Sequence, residues 1–129
     1  MTELSPNELT FFSGHEDALP LYERLREAIL REIEGVSIEV RRTQISFRTR
    51  YLFAAVSFLP VRRKAQRPPV WLTVTFGLPH RLDDPRIDAC SEPYPNRRTH
   101  HVLLGAVGEI DGQLLAWLRE AAAFADARR

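Results

Sequence analysis

The spacing of apolar residues changes several times along the chain. Between residues 17 and 33, Ala18, Leu21, Tyr22, Leu25, Ala28, Ile29 and Ile33 recur at intervals of three and four, the single stripe of an amphipathic helix. Pro20 falls in the opening turn, where a missing N–H does little harm; Glu16 and Asp17 suit the positive end of the helix dipole, and Gly35 suits the exit. Upstream, Ser5, Pro6 and Glu8 resemble a helix start and Gly14 a stop, which predicts at most a short helix over residues 6 to 12. The period then shortens to two. Val36, Ile38 and Val40 alternate with Ser37, Glu39 and Arg41, and Ile45 and Phe47 alternate with Gln44, Ser46 and Arg48, as in strands with one wet face. Residues 51 to 59 are apolar on both parities apart from Ser57, which predicts a central strand covered on both sides. After the charged connector VRRKAQRPP, Val70, Leu72, Val74 and Phe76 alternate with Trp71, Thr73 and Thr75, and the shortness of the connector favours antiparallel pairing.

From Gly77 to Arg98 no period is readable. Pro79, Pro85, Pro93 and Pro95 interrupt this stretch, while Ile87 and Tyr94 are available for packing, so it reads as an ordered, proline-stiffened loop. A last strand over residues 99 to 104 leads to Asp111, a helix N-cap, after which Leu114, Leu115, Leu118, Ala121, Ala122 and Ala125 mark a closing helix. The order predicts an α+β domain, with an antiparallel sheet of about five strands and the N-terminal and C-terminal helices packed on one face.

Composition narrows this without redirecting it. At 129 residues and 44% hydrophobic content the chain forms one domain, residues 1 to 129, able to bury roughly two thirds of its unfolded surface. Eighteen basic against seventeen acidic residues leave a net charge of +1, so any attraction for an anion must be local. Cys90 is the only cysteine, which excludes an internal disulfide. The N-terminus lacks the pattern of a secretory signal, and the longest apolar stretch, residues 51 to 61, is about half of what a membrane helix requires. A cytoplasmic protein with no membrane span is expected.

RTQISF at 42 to 47, FGLP at 76 to 79, RLDDPRI at 81 to 87 and PYPNRRTHH at 93 to 101 resemble segments of a bacterial family of small domains of unknown function, some members of which carry the label predicted transport protein. The resemblance runs from about residue 12 to residue 124 and implies no established activity. Nothing in the sequence supports the transport label. Two positions depart from the family pattern, with Arg42 in place of a lysine and Arg98 in place of a tryptophan.

The chemistry-bearing residues cluster in PYPNRRTHHVLLG, residues 93 to 105. His100 and His101 are strand neighbours and point to opposite faces, so in regular geometry they cannot share a metal. Schemes that add His80 or His15 to Asp83, Asp84 or Cys90 show no recognised ligand spacing, and no metal is expected. One imidazole shares a face with Val102 and Leu104, the other with Thr99 and Leu103. The inward ring reads as a core group; the other has a proton that moves near neutrality. Arg81, Arg86, Arg97 and Arg98 are delivered by the long loop or its edge and can grip phosphate or carboxylate; the competing account is pairing with Asp83, Asp84, Asp88 and Glu92. Thr43 and Gln44 offer a hydroxyl and an amide, and Tyr94 a ring for stacking.

These residues predict a loop-plus-sheet pocket for a small anionic ligand. Two alternatives stay open: a metal-independent enzyme using histidine acid–base chemistry on a phosphoryl or acyl group, and a protein-interaction domain, homodimer included. Nucleic acid is disfavoured, because VRRKAQR lacks interleaved aromatics and a recognised motif. With no phosphate-cradling glycine loop and no nucleophile elbow, no cofactor is expected.

Overall fold

The computed structural model describes residues 3–127. Helix α1 (Pro6–Phe11) and a short 3-10 turn precede the long helix α2 (Leu19–Glu32); Gly35, at a φ of 76°, lets the chain turn out of α2 into the sheet. Strands β1 (Ser37–Val40), β2 (Ile45–Arg48), β3 (Leu52–Ser57), β4 (Leu72–Leu78), β5 (Ala89–Tyr94) and β6 (Arg97–Leu104) follow, and helix α3 (Gly112–Ala127) closes the domain. All neighbouring strands are antiparallel, in the order β1-β2-β3-β4-β6-β5. The α+β class is as expected, with six strands rather than about five. The extra strand is β5, inside the stretch read as loop. It is an edge strand with mostly exposed side chains, so no buried face imposes a period of two on its sequence. Pro93 sits in it, as an edge position allows, and the two-residue turn Pro95–Asn96, with Asn96 at a φ of 67°, folds it onto β6.

Both long helices lie on one face of the sheet. Ile45, Phe47, Val56, Val74, Phe76, Val102 and Leu104 form that face and are buried. Tyr22 of α2 reaches Phe47 with ring centroids 6.4 Å apart, and Trp117 of α3 stacks on Phe76 at 6.1 Å. The register slips at Phe47/Arg48, and Phe53 and Ala54, consecutive in β3, are both buried in the core. The opposite face carries small polar residues, Ser46, Ser57, Thr73, Thr75, Thr99 and His101. The β3–β4 connection crosses part of it, with Thr73 Oγ1 donating to the Leu59 carbonyl at 2.8 Å. No helix among the described residues is long and apolar enough to cross a membrane.

Helix α1 has only six residues, too few to hold itself. A capping box closes its start: Glu8 N–H donates to Ser5 Oγ at 3.1 Å, and Ser5 N–H to Glu8 Oε1 at 2.8 Å. Glu8 is buried and also accepts from Arg26 Nε of α2 at 2.7 Å and from the Tyr22 hydroxyl. Burial works to raise the Glu8 pKa, but the Ser5 N–H, the Tyr22 hydroxyl and Arg26 together outweigh it and hold the carboxyl below its ordinary 4.5. Burial, then donation to Glu8, push the Tyr22 phenol far up.

A second buried polar group lies within the apolar face. His100 of β6 is fully buried, stacked on Phe76 at 5.4 Å, and its Nε2 accepts from the Leu82 N–H at 3.0 Å. An accepting Nε2 carries no proton, so the proton of the neutral ring sits on Nδ1. That atom is buried without a hydrogen bond of good geometry. Burial lowers the His100 pKa, His80 and His101 add to the lowering, and weak backbone contacts from Arg98 and Phe76 oppose it only in part.

Two stability predictions follow from these groups. Arg26→Met leaves a buried carboxylate without its cation and should cost about 3 kcal/mol in urea denaturation, with part of that recovered in the Glu8→Gln/Arg26→Met double variant. Because Glu8 is depressed in the folded state, its contribution is present above about pH 4.5 and lost as pH falls further. His100 acts earlier on acidification. Its folded pKa lies below the unfolded value of 6.5, so the neutral ring's contribution is intact above that pH and declines as pH drops through it. His100→Leu should cost about 1–3 kcal/mol at pH 8, from the orphaned Leu82 N–H, and should flatten the fall in melting temperature between pH 7 and pH 5. An unchanged slope would rule His100 out as its source.

Candidate functional site

Strand alternation sends His101 to the opposite face from His100. There it sits across β4 from Thr75, in register, and the two side chains meet with Thr75 Oγ1 and His101 Nδ1 2.8 Å apart. His101 is half-buried, and burial lowers its pKa below the ordinary value. Nδ1 is engaged by the threonine, whereas Nε2 has no hydrogen-bond partner among the described residues.

This pair forms the floor of a cleft of about 960 Å³ on the polar face of the sheet. One wall is the β1–β2 turn, closed by the Arg41 N–H donating to the Gln44 carbonyl at 2.8 Å, and it brings Arg41, Arg42, Thr43 and Gln44 to the rim. A second wall is the end of β3 and its continuation, Ser57 to Pro60. The third comes from α1 and the residues after it, through Asn7, Thr10, Phe11 and His15. None of the described residues that line the cleft is acidic, while two arginines and two histidines do line it. Arg41 is held by Glu39 at 2.6 Å; Arg42 makes no ion pair or hydrogen bond among the described residues. Three rings stand nearly parallel along one side, His15 on Phe58 at 4.0 Å and 17°, and Phe11 on Phe58 at 6.0 Å and 18°.

Of the nine residues singled out from the sequence, three line this cleft: His101, Thr43 and Gln44. The other six lie elsewhere, and no residue of the segment 78–98 contributes to the lining. His100 is the core group described above. Arg86 is spent on structure: it donates to both Asp111 carboxylate oxygens at 2.9 and 3.1 Å, to the Glu109 carbonyl at 2.6 Å, and lies over the Trp117 ring at 5.7 Å. Asp111 in turn caps α3 through the Leu114 N–H. Arg98 is 3.6 Å from Glu92, Tyr94 is on the exposed edge strand, and Arg81 is exposed on the 79–88 segment. Arg97 comes nearest in placement. Its guanidinium lies flat over Gly77, where a Cβ would meet Cζ at 2.4 Å. Gly77 is two residues beyond Thr75 on the same face of β4, roughly 7 Å along the strand.

The reading of the sequence missed Thr75, Arg42 as a rim cation, Phe58 and the α1 wall. Thr75 was recoverable, since it alternates with core residues on a strand predicted to pair. His15 and Phe58 were not, because nothing local says that α1 returns to the far face of the sheet. Arg62, from the charged connector, is tied to Asp88 at 2.7 Å, and Arg67 lies over Trp71 at 5.2 Å.

A second cleft of about 690 Å³ runs between α1 and α2, with Leu4, Leu9 and Leu30 inside and the carboxylates of Glu3, Glu23 and Glu27 around it. Arg26 and Arg31 line it as well, so its charges are nearly balanced, and it has no imidazole. No group of three or more His, Cys, Asp or Glu side chains is placed to hold a metal among the described residues.

No curated protein and no solved structure matches the chain. The family model described as Domain of unknown function (DUF5655) matches residues 8–125, nearly the whole of it, and the chain belongs to that family.

Proposed function

We propose that the cleft on the polar sheet face binds a small anionic ligand, with His101 at its floor and Arg42 at its rim. The observation that carries this reading is the lining itself. A half-buried imidazole with one nitrogen anchored and the other open is surrounded by hydroxyls, amides and a guanidinium with no competing carboxylate. Such a set donates hydrogen bonds and accepts few, which suits phosphate or carboxylate oxygens. Thr75 is a positioning residue: its hydroxyl fixes the ring plane of His101. Thr43 adds a hydroxyl at the turn, Gln44 the amide N–H left after Nε2 donates to Ser46 Oγ at 2.9 Å, and Arg97 contributes positive field from over Gly77. The volume suits a ligand of metabolite size.

Protonation and binding are coupled. Burial favours the neutral imidazole in the empty site, and an anion at Nε2 favours the imidazolium. Binding therefore takes up a proton, and affinity should rise as pH is lowered from about 8 to about 6.

The test is a titration with inorganic phosphate at low ionic strength, followed by amide chemical shifts. Shifts should concentrate at residues 41–44, 57–60 and around Thr75 and His101. His101→Ala or Arg42→Ala should each weaken binding about tenfold or more, the scale of one lost charge-assisted hydrogen bond. In His101→Ala the pH dependence should shrink to that of phosphate itself. Shifts scattered over surface arginines, with affinity untouched in both variants, would overturn the reading.

A further inference from the structure

The cleft has two chemically distinct halves, and an anion at His101 and Arg42 uses only one of them. Where the α1 wall meets the continuation of β3, His15, Phe58 and Phe11 present near-parallel rings, the outermost being the exposed imidazole of His15. Phe58 is braced from behind by edge contacts with Phe12 at 5.7 Å and Trp71 at 5.7 Å, so the stack is fixed rather than adaptable. Phe12 is fully buried, which ties the brace to the core. A rigid stack of flat rings at the edge of water gains most from another flat ring laid against it. The same lining includes amide and hydroxyl groups, Asn7, Thr10 and Gln44, of which Thr10 donates to the Pro6 carbonyl and Gln44 to Ser46 Oγ, leaving the hydroxyl oxygen and the remaining amide groups available.

We infer that the cleft takes a phosphate ester carrying a planar heterocycle, a mononucleotide in chemical type, with the phosphate at His101 and Arg42 and the base stacked on His15, whose ring is backed by Phe58. The inference rests on the anion-binding reading of the same cleft and adds the organic half of the ligand. These polar groups of the lining suit the hydroxyl-bearing sugar that joins a base to its phosphate. The cleft volume of about 960 Å³ accommodates one such unit within the usual range of small-ligand sites. A strand of nucleic acid is a poorer fit, because the lining is confined to one concavity between α1 and the β1–β2 turn and the exposed cations of residues 63–64 do not line it.

The experiment compares four probes by calorimetry on the full chain: adenosine 5′-monophosphate, ribose 5-phosphate, adenosine and an unphosphorylated oligodeoxyadenylate of ten residues. The monophosphate should bind at least about tenfold more tightly than either half, since one stacked base contributes on that scale. His15→Ala should remove most of that advantage and leave ribose 5-phosphate affinity unchanged, whereas His101→Ala should weaken both phosphates. His15 is exposed, so this variant keeps the fold; Phe58→Leu, read by its melting temperature and ribose 5-phosphate binding, checks the inner ring. Equal affinity for the monophosphate and ribose 5-phosphate would overturn the ring seat and leave the anion site standing. Failure of both phosphates to bind would remove the anion site as well, and tighter binding of the oligonucleotide than of the monophosphate would overturn the mononucleotide.

Discussion

The buried carboxylate of Glu8 is the constraint on which the candidate site depends. Six residues of helix cannot persist alone, yet one wall of the cleft is made of α1 and the turn that follows. Glu8 is held on several sides at once, by the capping box at Ser5 and by Arg26 and Tyr22 of α2. A charge taken out of water and paired this fully tolerates little displacement, because each lost contact exposes the full desolvation cost of what remains. The carboxylate therefore fixes α1 on α2. Asn7, Thr10 and Phe11, on the same helix, are carried to the polar face of the sheet as a consequence.

The sheet supplies the complementary half by alternation alone. Successive residues of β6 point to opposite sides, and one strand therefore feeds the apolar core with His100, Val102 and Leu104 and the polar face with Thr99, His101 and Leu103. Two adjacent imidazoles end in opposite roles. His100 accepts one backbone hydrogen bond and pins the 79–88 segment to the sheet at Leu82, at the expense of an unsatisfied Nδ1. His101 meets Thr75 and keeps its second nitrogen open. The long segment after β4 thus takes a structural role, with Arg86 clamping it to the start of α3.

The class of the fold was legible in the sequence because it rests on burial. α2, α3 and the strands facing them show their periods since each has one apolar side. β5 was hidden for the converse reason: with both faces open to solvent, its residues carry no alternation, and Pro93 reads as a loop marker although an edge strand tolerates it. The site was legible only where it depends on parity. That one histidine must face away from the core followed from counting along β6. Which cations would accompany it did not follow, because Arg81, Arg86, Arg97 and Arg98 are neighbours in sequence while Arg42 and His15 are neighbours in space. Among arginines on one segment, the nearest carboxylate decides the role, as Asp111 does for Arg86 and Glu92 does for Arg98.

A net charge of +1 conceals a local excess of positive charge in the cleft on the sheet. Glu3, Glu23 and Glu27 share the groove between α1 and α2 with Arg26 and Arg31, while the cleft on the sheet has two arginines and no carboxylate in its lining. At physiological salt the screening length is about 8 Å, so this excess does not reach far beyond the cleft. Long-range attraction is consequently weak for this protein, and discrimination among ligands has to come from groups at contact distance. Half-burial of His101 strengthens its interactions with anything that excludes water from Nε2. The selectivity of the cleft accordingly rests on the donors at its floor and the rings at its side rather than on the total charge of the chain.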